Sequence, residues 1–395
     1  MKIGVIGLGA RIANLASDFK KAAPEAQFTA VADPSDARVA ILEDLGSTPT
    51  RYDTAAEMLA GHKFDMLMIG SPNHMHLDHI KLALQSDVPF IFTEKPVVIS
   101  VEESIALAHE IARHNGMQRL MVGLVLRYSP LYRALRQAQA DGQIGEVMSI
   151  EASEHIAPYH GSFFMRDWRR HSAMSGSFML EKCCHDIDLY QGVVGARPSQ
   201  IASFGGRKKY LPEHRPADDV DYMTGAPSRN NGINSFVPRW GGSNDAFSGE
   251  GDLIDYQTAL VEYENGANLC FHTNLNVPDQ FRRFAVIGRD GMAEGDFIRN
   301  TFKVTLSDTS QTVVEDAGIG SGSETGHYGA DAAMAQDVVS YVKGDMPSLP
   351  LSVKDALEAG ITALAMDRAR EERRIVDLSE IWAEFDAALG GKHAA

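Results

Sequence analysis

Apolar runs and helical repeats alternate along the first 120 or so residues. Lys2 to Ile6 is almost continuously apolar, as expected of a strand covered on both faces, and Gly7-Leu8-Gly9 follows at once. Ile12, Leu15, Ala16 and Phe19 then recur at helical spacing, and Gln27 to Ala32 is a second β-rich run ending at Asp33. The pattern continues with helices over 37–45 and 54–60, a strand over 65–69, a helix over 77–86, a strand over 89–93, a helix over 101–115 and a strand over 119–123. Strands alternating with helices predict a doubly wound parallel sheet, which binds ligands beyond the carboxyl ends of its strands. After residue 123 the pattern changes. A strand end and helix over 123–145 read as a crossover, 146–155 alternates as a strand, and 176–188 reads as a helix. Turn-linked pairs follow at 254–263 with 267–275, 281–287 with 292–296, and 302–307 with 312–316. Successive hairpins suit one sheet with a buried face and a face open to association. A loop over 318–326, a helix starting near Asp331, and helices over 353–371 and 378–389 complete the chain.

A length of 395 residues makes two domains the default. The division expected is 1–123 for nucleotide and 124–395 for substrate and oligomerisation, with 205–251 a long loop, either a substrate lid or a subunit contact. No apolar run reaches bilayer length, and the N-terminus reads as a strand, not a secretion signal. The three cysteines, Cys183, Cys184 and Cys270, form no CxxC pair, which disfavours a disulfide framework or a zinc ribbon and suits a reducing cytoplasm. A net charge of -16 argues against nucleic acid and anionic membrane as partners.

Gly7, Gly9 and Asp33 have the order and spacing of a dinucleotide fingerprint. The glycines admit a pyrophosphate close to the backbone, and a helix N-terminus attracts its charge. Asp33 would hold the ribose hydroxyls and repel a 2′-phosphate, favouring NAD over NADP. Ile12 stands at the third glycine position, and Arg11 beside it joins the cofactor set. Ser71, Asn73, His76, Glu94 and Lys95 follow later strands, so they too fall at the cofactor end, with Asn73 or His76 a candidate for the nicotinamide ribose. The cluster His74, His76, Asp78, His79 is a poor metal site, because only His76 and His79 would share a helical face. In the helix over 176–188, Glu181, His185 and Asp188 are spaced i, i+4, i+7 along one side. A carboxylate one turn from an imidazole builds a general base, while a solvated helix face is the plainer reading.

The stretches IGLGARI, SPNHMHLDHI, PFIFTEKPVVIS, VGLVLRYSPLYRAL, GQIGEVMSIEASEH and SGSFMLEKCCHDIDL resemble the Gfo/Idh/MocA family, the glucose–fructose oxidoreductase and inositol dehydrogenase group. The resemblance is dense in the first half and looser in the second. It implies an N-terminal Rossmann domain and a C-terminal α+β domain with a large, mostly antiparallel sheet. It also implies oxidation of a sugar or polyol hydroxyl with a nicotinamide cofactor. By the same resemblance Lys95 is the lysine of the EKP signature and polarises the oxygen, His185 is the catalytic acid/base, and Glu181 stands where the family usually has Asp. Either Glu181 or Lys182 would face the substrate. Arg127, Tyr128, Arg169 and His327 join Lys95, Lys182 and His185 as substrate-side candidates. No metal is required, and a homodimer or homotetramer is expected. Two alternatives stay open: a hydride-relay enzyme that retains its NAD, and a non-catalytic sugar- or NAD-sensing protein.

Overall fold

The computed structural model describes residues 1–216, 236, 245–317 and 326–391. Two compact units divide the chain. One comprises Met1–Ser129, Glu324–Ile361 and Ser379–Ala395, the other Pro130–Ser323 and Thr362–Leu378.

In the first unit, β1 (Lys2–Ile6), β2 (Gln27–Ala32), β3 (Thr50–Tyr52), β4 (Met66–Ile69), β5 (Phe90–Thr93) and β6 (Leu120–Val122) form a parallel sheet ordered β3-β2-β1-β4-β5-β6. This is the doubly wound sheet that the apolar runs predict. Val5, Val31, Leu67 and Ile91 are wholly buried, which is why their strands do not alternate. β3 is absent from the sequence reading because three residues are too few to display a period. The strand order reverses between β1 and β4, the switch point at which such sheets bind nucleotides.

Ile12 at the third glycine position has a steric counterpart. Its side chain, on the helix Ala10–Ala22, is wholly buried, and a Cβ added at Gly70, just past β4, would collide with Ile12 Cγ1 and lie 3.2 Å from the Gly7 carbonyl oxygen. Close approach of helix to sheet needs one small residue, and here the strand end supplies it. Gly7 is needed for two reasons: its φ is +78°, and a Cβ there would meet the backbone of Ser71. The helix Ala330–Lys343 packs on Ala10–Ala22, with Tyr341 edge-on to Phe90 at 5.7 Å, and Ser379–Ala388 packs on Val101–Arg113.

In the second unit, β7 (Val147–His155), β8 (Pro198–Gly206), β9 (Tyr256–Tyr263), β10 (Asn268–Asn274), β11 (Phe281–Gly288), β12 (Gly291–Asp296), β13 (Thr301–Leu306), β14 (Thr312–Ala317) and β15 (Val376–Asp377) make one sheet ordered β14-β13-β12-β11-β7-β10-β9-β8-β15. β7 and β10 are parallel and every other neighbouring pair is antiparallel. The three expected hairpins all appear. β8 escapes the sequence reading because Ser203 and Gly205 share the inward register of Ile201 while Phe204, 73% exposed, points outward. The helix Phe178–Val194 packs on β7, capped by Ser177 Oγ accepting from the Leu180 amide at 3.0 Å. All its residues except Gly192 are buried, so the solvated-face alternative does not hold. Of the expected loop over 205–251, residues 217–235 and 237–244 lie outside the described residues, as do 318–325 of the second loop.

Gly70→Ala should therefore destabilise the protein by about 1–3 kcal/mol, the usual cost of overpacking. Ile12→Ala in the same chain should return part of that loss, because the two positions share one contact. Thermal unfolding of the two single variants and the double variant checks this; strict additivity would refute the shared contact.

Candidate active site

The first unit gathers its chemistry at the carboxyl ends of β1, β2, β4 and β5. Gly9 caps the helix Ala10–Ala22 with extended backbone and offers no side chain to the first-turn amides. Those amides can receive a pyrophosphate. Asp33, just past β2, accepts from the Leu8 amide at 2.7 Å through Oδ2 and from the Ser35 amide at 2.7 Å through Oδ1. It ties the glycine turn to the second strand end and is only half-buried, in the place where an adenosine ribose would be held. The tight glycine turn, the uncapped helix start and the acid at β2 together fit a dinucleotide.

Past β4, Ser71 Oγ lies 2.8 Å from His79 Nδ1. His76 is 1% exposed; its Nε2 lies 2.8 Å from the Ser71 carbonyl oxygen and its Nδ1 2.7 Å from that of Pro96. His76 thus joins the loop after β4 to the loop after β5, and both ring nitrogens face backbone. Burial, then the nearby His76, pushes the His79 imidazole toward its neutral form against the pull of Asp78. Asn73 is buried in the same turn.

Glu94, buried past β5, receives Arg11 Nε at 3.0 Å on Oε1 and the Lys95 amide at 3.2 Å on Oε2. Arg11 also makes a bidentate pair with Asp331, NH1 to Oδ2 at 2.8 Å and NH2 to Oδ1 at 2.7 Å. His327 Nδ1 stands 3.1 Å from Asp331 Oδ2, on a turn where His327 and Tyr328 both adopt left-handed backbone. Desolvation alone would raise the Asp331 pKa, but His327 and Arg11 outweigh it and hold the carboxyl well below the usual range. Arg11 is therefore spent on two carboxylates, binding the glycine turn to the EKP segment and to the start of the helix Ala330–Lys343. Lys95 is half-buried. Arg127 NH1 donates to the Pro350 carbonyl at 3.1 Å and lies 3.7 Å from Asp355, and Tyr128 is buried.

In the second unit, the helix Phe178–Val194 carries Glu181, Lys182, His185, Asp186 and Asp188, all buried. Buried charges persist only when paired. Lys182 Nζ is 2.9 Å from Glu154 Oε1, Arg282 Nε is 3.1 Å from Glu154 Oε2, and Arg282 grips Asp186 at 2.7 and 2.6 Å. Desolvation works against the Glu154 carboxylate, yet Arg282 and Lys182 hold its pKa below normal. Glu181 lies 3.9 Å from Arg169 Nε, and the Arg169 guanidinium sits 4.1 Å over Phe163 and 4.4 Å over Trp168. Lys182 thus turns toward β7, and Glu181 toward Arg169. His155, 5% exposed, is pushed down to about 4, chiefly by burial and then by His272, with Arg283 adding and Glu154 opposing.

Sequence reasoning missed Glu154, Asp186 and Arg282, and took Asp331 only as a helix cap. A signal for two of them exists in the strand register. Glu154 follows Ile150 and Ala152 on the inward face of β7, and Arg282 precedes Phe284 and Val286 on that of β11. A charge at an inward position needs a buried partner.

The fold and the glycine turn define a dinucleotide-binding enzyme scaffold. A family model described as an oxidoreductase family with an NAD-binding Rossmann fold matches residues 1–124, and the model of the GFO/IDH/MocA C-terminal domain matches residues 132–294. The chain belongs to the Gfo/Idh/MocA oxidoreductase family. It is 24% identical to YteT of Bacillus subtilis over 84% of this chain and 85% of that one. It is 27% identical to scyllo-inositol 2-dehydrogenase (NAD(+)) of the same organism over 52% of this chain and 57% of that one, so this similarity spans little more than half of the relative. Scyllo-inositol dehydrogenase from Lactobacillus casei, solved with bound NAD(H) and scyllo-inositol, shares the fold with a TM-score of 0.70 at 19% identity, covering 96% of this chain and 99% of that one. Among the described residues no helix is long and apolar enough to cross a membrane.

Asp331→Asn should cost about 1–3 kcal/mol at neutral pH, the range for hydrogen bonds to charged groups. Because the folded pKa of Asp331 is depressed, the wild-type advantage is fully present above the ordinary carboxylate pKa of about 3.9 and declines as pH falls below it toward the folded value. Denaturant unfolding of both proteins from pH 7 to pH 3 checks this. A difference that grows on acidification would contradict it.

Proposed function

We propose that this protein oxidises a hydroxyl of a sugar or cyclic polyol with NAD, His185 acting as general acid/base and Lys95 polarising the reacting oxygen. The observation that carries the reading is the setting of His185, a buried imidazole on a helix whose neighbouring Lys182 and Asp186 are committed to ion pairs. A titratable group held among locked charges suits proton transfer. The similarity to an NAD-dependent inositol dehydrogenase supports the substrate class.

NAD, when bound, supplies the hydride acceptor. The amides of the Gly7–Gly9 turn and the helix start hold its pyrophosphate, and Asp33 accepts from its ribose hydroxyls. Lys95 donates to the substrate oxygen and stabilises negative charge developing there. Neutral His185 takes the hydroxyl proton in oxidation and returns it in reduction. Glu181 favours the imidazolium that forms. Arg11, Glu94 and His76 act as positioning residues that set the EKP segment against the glycine turn. The exposed Phe204 and Leu260, together on one face of the large sheet, support association of copies into a dimer or tetramer.

Lys95→Ala and His185→Ala should each lower kcat/KM by on the order of 10²–10⁴ while NAD affinity changes only a few-fold, as expected of groups acting on the transition state. Loss of NAD binding would reassign them. Oxidation should quicken with rising pH through the ionisation of His185, and a flat profile would oppose its role as base. Asp33→Ala should narrow the preference for NAD over NADP; an unchanged ratio would remove Asp33 from ribose recognition. Screening inositols, pyranoses and glycosides for free NADH identifies the substrate, and turnover without free NADH would favour the retained-cofactor alternative.

A further inference from the structure

A concave site lies within the second unit, on the sheet face opposite the helix Phe178–Val194. It is a pocket of about 500 Å³ lined by Lys208, Lys209, His214, Asp255, Tyr256, Asn274 and Asn276. That volume falls in the range of small-molecule sites. Its side of the sheet follows from register. Thr273 and Glu154 face inward, where Thr273 Oγ1 meets Cys183 of the helix, whereas Asn274 pairs with Tyr256 on the outward face that also carries Leu260.

The turn that presents the lysines is held firmly. Asp255 accepts the amides of Lys208 at 2.9 Å, Lys209 at 2.6 Å and Tyr210 at 3.0 Å, so its charge is taken up by backbone donors. Arg207 Nε donates to the Leu253 carbonyl at 2.7 Å, and Tyr210 OH to that of Leu275 at 2.9 Å. The two ammonium groups have no carboxylate partner among the described residues. Lys208 Nζ lies 5.6 Å from the Tyr256 ring centre, and Lys209 Nζ lies 5.1 and 5.7 Å from those of Phe236 and Phe247. In a chain of net charge -16, two lysines that no carboxylate among the described residues neutralises, with a histidine, around one hollow are a local reversal of sign. Apart from Asp255, the other lining groups, Tyr256, Asn274 and Asn276, are neutral hydrogen-bonding ones. Asn276 Oδ1 is buried without a hydrogen-bond partner among the described residues, and the Asn274 amide is 3.2 Å from His155 and His272. Two carboxamides beside an aromatic ring suit a hydroxyl-rich ring, and the lysines suit an anionic substituent on it.

We infer that this pocket binds a small acidic sugar, one carrying a carboxylate or a phosphate, at a site separate from the helix that carries His185. A divalent cation is disfavoured, because the one carboxylate in the lining is spent on backbone amides and the lysines would repel the metal.

The test is calorimetric titration of the NAD-loaded full chain with glucuronate, glucose 6-phosphate and glucose. At least one anionic sugar should bind ten-fold or more tighter than glucose, and that advantage should shrink as salt rises. The arm that binds identifies the anionic group. Lys208→Gln with Lys209→Gln should abolish the advantage, Lys208→Arg with Lys209→Arg should keep most of it, and both variants should retain the wild-type dehydrogenase rate. The inference is overturned if neither anion outbinds glucose, if the advantage survives the glutamine pair, or if the arginine pair loses it as fully as the glutamine pair does. None of these outcomes bears on His185 or Lys95, whose test is the rate itself.

Discussion

Buried charge must be paired, and in this protein the pairing fixes where the chemistry-bearing side chains stand. Within the second unit, the helix Phe178–Val194 is buried almost all round yet carries Glu181, Lys182, His185, Asp186 and Asp188. It can lie there because Glu154 from β7 and Arg282 from β11 meet Lys182 and Asp186. Four charges, two of each sign, lock the helix in rotation and register against the sheet. Replacing them with apolar groups could give an equally stable core, but it would remove the directional contacts between this helix and the sheet.

The same constraint operates in the first unit with different residues. Arg11 leaves the helix after the glycine turn and meets Glu94 and Asp331, and Asp331 in turn holds His327. Segments more than 300 residues apart in sequence, Arg11 and Asp331, are thereby joined at one strand end. His76 adds a further tie between the loops after β4 and β5. Around the proposed cofactor site, side chains that a motif reading assigns to the ligand are thus partly engaged in holding the site's own loops together. Arg11, Glu94 and His76 are of this kind, and Asp33 is as well while it accepts from the Leu8 amide.

The exchange of small and large residues between Ile12 and Gly70 illustrates how a motif can depart from its pattern and keep its physics. The fingerprint asks for a glycine on the helix because helix and sheet must approach closely. The requirement belongs to the contact, and either partner can meet it.

The sequence by itself determined the parallel sheet, the glycine turn, the hairpins of the second unit and the helix bearing His185. Each of these is written in local periodicity, or in turn residues that few other side chains can replace. Only the tertiary structure decided which charges meet. Glu181 turns toward Arg169 and Lys182 toward Glu154, although both sit within one turn of His185. Likewise β8 is hidden from pattern reading because its exposed Phe204 and buried Ser203 invert the usual signal. Periodicity records which way a residue points relative to its own strand or helix. It carries no information on what a distant segment brings to meet it, and electrostatic pairing across that distance is what sets the geometry of this protein's chemistry.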